Sequence, residues 1–341
     1  MTKTFRLATF NAENLFSRAR VLKLVDPARR GDVLAQIAEL ETLRASSHLN
    51  PTEKRRRAEL ARNLSRYVDA NGTGVAGRLN HRRTALTEQQ RENTAQVVRA
   101  VDADVLCLLE IESRDALDAF NHRHLGHAFP FNMLVQGFDA RGIDPGLLSK
   151  CPIVALRSHL FDQAAGHRLF TRDCLEVDID LGGGHCLHLL INHFNGPGPG
   201  SERERDTLRR RQASAVAQIL ATRFDLACDL VAVVGDFNDT PQRAPQALAP
   251  LLKMSGLHDV LALQFPIPDD RWTCHRHKNE QIDFILVSDA LKAAFGQAGV
   301  ERRGMPELQR NTIAQESPFP GVRSAASAAS SHAAVWADFA L

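Results

Sequence analysis

The chain has 341 residues, 44% of them hydrophobic and 24% charged, and a formal net charge of +2. Such values belong to a soluble globular protein, and a charge so near zero excludes any global pull toward nucleic acid or membrane, leaving polyanion recognition to local patches. No stretch approaches the apolar length that spans a bilayer, and the length suits either one large core or two ordinary domains.

The first ten residues pass from two polar positions straight into an alternating strand. They lack the apolar region and small-residue cleavage site of a secretory signal, so a cytoplasmic protein is expected. Apolar, β-branched segments at 5–10, 105–109, 146–148, 153–156, 174–179, 186–191, 230–234 and 282–287 read as strands, several bounded by Gly, Pro, Asn or Asp. Residues 180–184, Asp-Leu-Gly-Gly-Gly, read as a hairpin turn between two of them. Helical spacing predicts helices over 88–101, capped by Thr87, and over 204–223. Strands and helices alternate without a long linker, which predicts one α/β domain over residues 1–341.

Two stretches stand apart from that alternation. A polar, strongly helical and basic insert lies at about 18–90, with the run Lys54-Arg55-Arg56-Arg57 and later Arg82-Arg83. Residues 304–331, rich in Pro, Ser and Ala, read as a long loop before the last strand. None of the six cysteines forms a C-x-x-C pair, so reduced, mostly buried thiols are expected rather than disulfides. The group Cys274, His275 and His277 has metal-capable atoms but lacks a second ligand pair at zinc spacing.

The chemistry gathers at strand ends. Residues 231–241 form a buried strand that ends at Gly235 and presents Asp236 and Asn238. Alone, this pair would read as a turn. Further apolar segments carry Asn11 and Glu13, Glu110, His193, Asp283 and His332. Packing does not explain so many strands that each bear an Asp, Glu, Asn or His.

In its order along the chain this set resembles the endonuclease/exonuclease/phosphatase superfamily. The resemblance runs from Asn11 to His332, and is nearest to the bacterial nuclease-like subgroup through Asn11-Ala12-Glu13-Asn14-Leu15-Phe16, Arg141-Gly142-Ile143-Asp144 and Asn192-His193. It implies a four-layer α/β sandwich, with two mixed sheets face to face and helices outside. It also implies a divalent-metal-dependent phosphodiester hydrolase. Glu110 and Asn11 would sit at a Mg²⁺ or Mn²⁺ ion, with Glu13 a further candidate ligand that a helix-start carboxylate explains nearly as well. Asp236 would deprotonate the attacking water and Asn238 would hold it. His193 and His332 would contact the phosphate, with Asp283 fixing the tautomer of His332.

The sequence departs from the family pattern in three places. Ser330-Ser331-His332 replaces a usual Ser-Asp-His, which puts a second metal in doubt. The tyrosine that many members place on the phosphate is missing, since the only tyrosine, Tyr67, lies in the insert; Asp144 or Arg141 is the candidate for its neighbourhood. Asn195 stands where the nearest subgroup has lysine, and Arg172 either holds a phosphate or forms a surface salt bridge.

The basic insert reads either as a nucleic-acid clamp or as a solvated helical face. Arg203, Arg205, Arg209, Arg210 and Arg211, after the Gly/Pro loop at 196–200, are the better candidates for a phosphate backbone. Three functions follow in order: a nuclease acting on DNA, a phosphatase or phosphodiesterase for a small molecule or lipid headgroup, and a non-catalytic binding protein on the same scaffold.

Overall fold

The computed structural model describes residues 4–15, 19–69, 79–81, 86–139, 141–164, 166–198, 200–244, 246–275, 278–306 and 316–341. By internal contacts the chain divides into two compact units, residues 16–86 and the remainder.

The larger unit is built on two six-stranded mixed sheets. The strands of these two sheets are β1 (Thr4–Leu15), β2 (Val105–Ile111), β3 (Phe131–Leu134), β4 (Asp144–Ser149), β5 (Ile153–Arg157) and β6 (Leu175–Gly182). They continue as β7 (His185–His193), β8 (Leu230–Asp236), β9 (Leu257–Asp259), β10 (Asp283–Ser288), β11 (Phe295–Glu301) and β12 (Ala334–Ala340). The first sheet runs β11-β12-β1-β2-β4-β3 and the second β9-β10-β8-β7-β6-β5. Each has one parallel pair at its centre, β1 with β2 and β7 with β8, flanked by antiparallel neighbours.

Alternate residues of both sheets face each other and fuse into one apolar core. Leu7, Val105, Cys107 and Val335 come from the first sheet, and Val177, Leu189, Ala232 and Ile285 from the second. Helix α5 (Glu202–Arg223) covers the outer face of the second sheet, its Ala213, Val216 and Leu220 packing with Leu190, Val233 and Phe284. Helices α3 (Glu88–Val101) and α4 (Arg114–His124) lie against the first sheet. This is the α/β sandwich implied by the sequence.

Local signals explain the helix starts. Thr87 and Gln90 form a reciprocal cap for α3, and Ser201 and Glu204 do the same for α5, which therefore begins two residues before the predicted start. Strands β3, β9 and β11 and helix α4 went unread in the sequence. The first two are short, and β11, with Gly296 and Gly299, has no clean alternation.

The smaller unit contains α1 (Pro27–Ala45) and α2 (Pro51–Asn63), which close over a core of Val21, Ile37, Leu40, Leu60, Leu64, Tyr67, Val68 and Leu79. Within its basic run Arg56 bonds Glu39 at 2.8 Å and Glu59 at 3.2 Å, while Lys54, Arg55 and Arg57 are exposed. Arg82 and Arg83 lie outside the described residues.

All six cysteines are free: Cys107, Cys174 and Cys274 are buried, Cys151 and Cys186 half-buried, and Cys228 exposed. Among the described residues no helix is long and apolar enough to cross a membrane.

Candidate active site

The sheet directions dictate where the polar residues meet. In a parallel pair both C-terminal ends lie on the same edge, so β1 and β2 carry Asn11 and Glu110 there and β7 and β8 carry His193 and Asp236. Strand β10 is antiparallel to β8 and starts at that edge, pairing Asp283 with Asp236. Strand β12 is antiparallel to β1, so His332, two residues before it, arrives there too.

Asp236 is the hub. It is 1% exposed, and its two oxygens have different partners. The Asn238 backbone N–H donates to Oδ1 at 2.8 Å, and the Asn11 side-chain amide donates to Oδ2 at 3.1 Å from the opposite sheet. His193 Nε2 lies 3.5 Å from Oδ2 and His332 Nε2 lies 3.9 Å from it. Gly235, at φ 133°, is required in front of this aspartate: a Cβ there would fall 1.8 Å from the Asn192 carbonyl oxygen.

Glu110 is half-buried, with Oε1 3.9 Å from His193 Nε2. Burial raises its carboxyl pKa; His332 and Arg141 pull it down, while Asp236 adds to the rise. The ladders on both sides of β2 slip near this residue, and Glu110 takes the left-handed φ of 63°. Glu13 (φ 49°) and Asn238 (φ 52°) share that conformation. Asparagine adopts it readily, but for the two glutamates it is costly and is held where the surroundings over-determine it, a pattern that clusters at functional sites.

His332 is held from behind. Its Nδ1 lies 3.0 Å from Asp283 Oδ2, and Thr273 Oγ1 donates to the same oxygen at 2.7 Å. Ser330 ties the approach: its Oγ donates to the Asn11 carbonyl at 2.7 Å and accepts the His332 N–H at 3.0 Å. Glu13 is exposed and its Oε2 accepts the Ser331 N–H at 2.7 Å, so this carboxylate braces the backbone at the altered Ser-Ser-His position.

The phosphate candidates are distributed differently. Arg172 is 3% exposed, with its guanidinium turned to Asp139 at 2.7 Å and to the carbonyls of His193 and Phe194 at 3.0 and 2.6 Å. It is a buried bracket for the β7 end, and the surface salt bridge considered for it is not found. Arg141 is exposed and pairs with Asp139 at 3.1 Å. Asp144 is 1% exposed and accepts the Gly137 N–H at 2.9 Å; burial pushes its carboxyl up to about 7. Asn195 is half-buried between Gln212, which accepts its N–H, and Arg209, which donates to its carbonyl. Beside Asn238 a cleft of about 360 Å³ is lined by Arg205, Arg209, Asp239, Arg243 and Lys278.

Two organising residues were missed. Thr273 carries no motif, and only tertiary pairing brings it to Asp283. Asp139 stands two residues before Arg141, the one signal the sequence offered, and bonds both it and Arg172, which lies 33 positions further along the chain. Of the suspected zinc group, His277 lies outside the described residues, Cys274 is buried, and His275 Nδ1 bonds the Asn279 side chain at 2.7 Å.

The side chains at this edge can hold a divalent cation. The ligand atoms of Asp236, Asp283 and His332 lie within 4.8 Å of one another. Asp236 also raises the pKa of Glu110, so two carboxylates crowd a site that a cation would neutralise.

Comparison with solved structures returns this fold. An endonuclease/exonuclease/phosphatase from Beutenbergia cavernae is 14% identical over 99% of this chain and 72% of its own, with a TM-score of 0.56. A humanized D. rerio TDP2 carrying 14 mutations is 14% identical over 98% of both chains, with a TM-score of 0.54. D. rerio TDP2 complexed with single strand DNA product is 16% identical over 75% of this chain and 93% of its own, with a TM-score of 0.52. No curated protein matches the sequence. The model of the endonuclease/exonuclease/phosphatase family matches residues 70–327. The chain belongs to that family and is a metal-dependent phosphoric ester hydrolase.

Proposed function

We propose that this chain hydrolyses phosphodiester bonds in nucleic acid, DNA in particular, by in-line attack of water with Mg²⁺ or Mn²⁺ bound. The observation that carries the reading is the meeting of Asn11, Asp236, His193 and His332 from both sheets around one buried carboxylate.

In this reading Glu110 and Asn11 hold the cation, which supplies Lewis-acid polarisation of a phosphate oxygen. Asp236 accepts the proton of the attacking water. Its orientation is fixed by the Asn11 amide and by the Asn238 N–H, so little reorganisation accompanies the transfer. Asn238 holds the water and a phosphate oxygen. His193 donates to the phosphate oxygens as charge grows on them, and so does His332 in its doubly protonated form, with Asp283 accepting from Nδ1–H so that Nε2–H faces the centre.

The preference for a polyanionic strand rests on local charge. Helix α5 exposes Arg203, Arg210 and Arg211, and the cleft beside Asn238 is flanked by further arginines, although Glu202 and Asp206 neutralise much of their charge. The fold shared with a TDP2 complexed with single strand DNA product adds support.

Supercoiled plasmid incubated with Mg²⁺ or Mn²⁺ tests the proposal. Nicking that disappears with chelator and in Asp236→Ala, a variant whose circular dichroism matches wild type, is the expected result. Hydrolysis of bis(p-nitrophenyl) phosphate with intact plasmid would move the substrate to a small ester. Near-normal activity in pure Asp236→Ala would remove the mechanism.

A further inference from the structure

Far from the active edge, the outer face of the second sheet carries a thiol, an imidazole and a carboxylate that the hydrolytic reading leaves unused. Asp178 and His188 are directly opposite in the β6–β7 ladder, and Cys186 precedes His188 by two residues on the same strand. Side chains alternate along a strand, so residues two apart share a face. Their neighbours Val177, Ile179, Leu187 and Leu189 point into the inter-sheet core, which leaves Asp178, Cys186 and His188 on the outside, each half-buried.

The three groups converge. His188 Nδ1 lies 2.6 Å from Asp178 Oδ1, and one ligand atom from each residue lies within 4.8 Å of the others. Around tetrahedral zinc, with bonds of about 2.0–2.3 Å, ligand atoms sit roughly 3.4 Å apart, within reach of small side-chain rotations here. The backbone under them is a hydrogen-bonded antiparallel ladder, and the Phe224 ring packs 5.1 Å from the imidazole. Both features keep the ligands in place before a cation arrives.

We propose that Asp178, Cys186 and His188 form a second metal site, which takes a borderline-soft transition cation such as Zn²⁺ with water as the fourth ligand. A thiolate and an imidazole select against the hard Mg²⁺ of the active edge. Binding releases the Cys186 thiol proton to solvent, and the imidazole proton moves from Nδ1 to Nε2 as the metal takes the place beside Asp178. Strand β7 ends at His193 in the active centre; His188 lies about 16 Å back along it, at ~3.3 Å per residue, too far to touch the reacting phosphate.

Cobalt(II) titration of the chelator-stripped 341-residue chain tests this independently of turnover. A thiolate-to-cobalt charge-transfer band that saturates at one equivalent is expected in wild type, and equally in Asp236→Ala and in Cys228→Ser, which removes the exposed thiol. Cys186→Ser abolishes the band, and His188→Ala weakens cobalt affinity at least tenfold, both with wild-type circular dichroism. Should Cys186→Ser fail to fold, Asp178→Asn serves in its place, with the same tenfold loss expected. A wild-type protein without the band, or a band that survives in folded Cys186→Ser or keeps its affinity in Asp178→Asn, overturns the site.

Discussion

Asp283 approaches His332 Nδ1 to 3.0 Å, and a carboxylate can only accept, so the proton sits on Nδ1 and Nε2 is turned toward Asp236, 3.9 Å away. Thr273 locks the carboxylate in that pose. Asp283→Asn removes the charge and offers the imidazole an amide instead. The expected result is a fall in kcat of roughly 10–100-fold with little change in KM, read with bis(p-nitrophenyl) phosphate. Activity within about twofold of wild type would sink the role given to the Asp283–His332 pair.

Glu110 has its carboxyl pKa raised chiefly by burial. With Glu110 holding the cation as proposed, a proton competes with it for the carboxylate, so the Mn²⁺ concentration giving half-maximal activity is expected to rise as pH falls through that raised pKa. Glu110→Ala is expected to raise this concentration by roughly 10–100-fold and to flatten its pH dependence. A metal requirement identical to wild type at every pH excludes Glu110 as a ligand.

Asp144 makes a stability prediction with a definite sign. Burial pushes its carboxyl up to about 7, so between its ordinary range and that value the folded chain holds a proton that the unfolded chain has released. Stability therefore declines as pH climbs from about 4 to about 7, by no more than ~4 kcal/mol from this group, and is unaffected by it above that. Asp144→Asn should lose this component. Urea midpoints measured across the window give the answer, and an unchanged slope in the variant refutes it.

Arg172 is buried with Asp139 and two backbone carbonyls as partners. Arg172→Met strands the Asp139 charge, leaving it only exposed Arg141, and is expected to cost about 3–5 kcal/mol. Thermal unfolding should fall by several degrees, whereas a phosphate-binding arginine without a structural role would leave the midpoint in place and raise KM alone.

Substrate-independent features were legible in the chain because strand ends announce themselves. Apolar runs that stop at Asn11, Glu110, His193 and Asp236 carry their own period and their own polar terminus, and capping pairs such as Thr87 with Gln90 mark helix starts within three residues. Arg172 shows the limit of such reading: one arginine before a strand looks the same whether it points at solvent or into the body of the protein.

The sequence by itself determined the apolar segments that carry Asn11, Glu110, His193, Asp236, Asp283 and His332, and the membership of the family. Only the tertiary structure decided that Asn11 reaches Asp236 across the two sheets, that Thr273 holds Asp283, and that Glu13 accepts the Ser331 N–H. The reason is range. Periodicity and capping act over a few residues, whereas these contacts join positions as far as 318 apart in the chain, as Glu13 and Ser331 are, and are set by strand pairing and sheet packing.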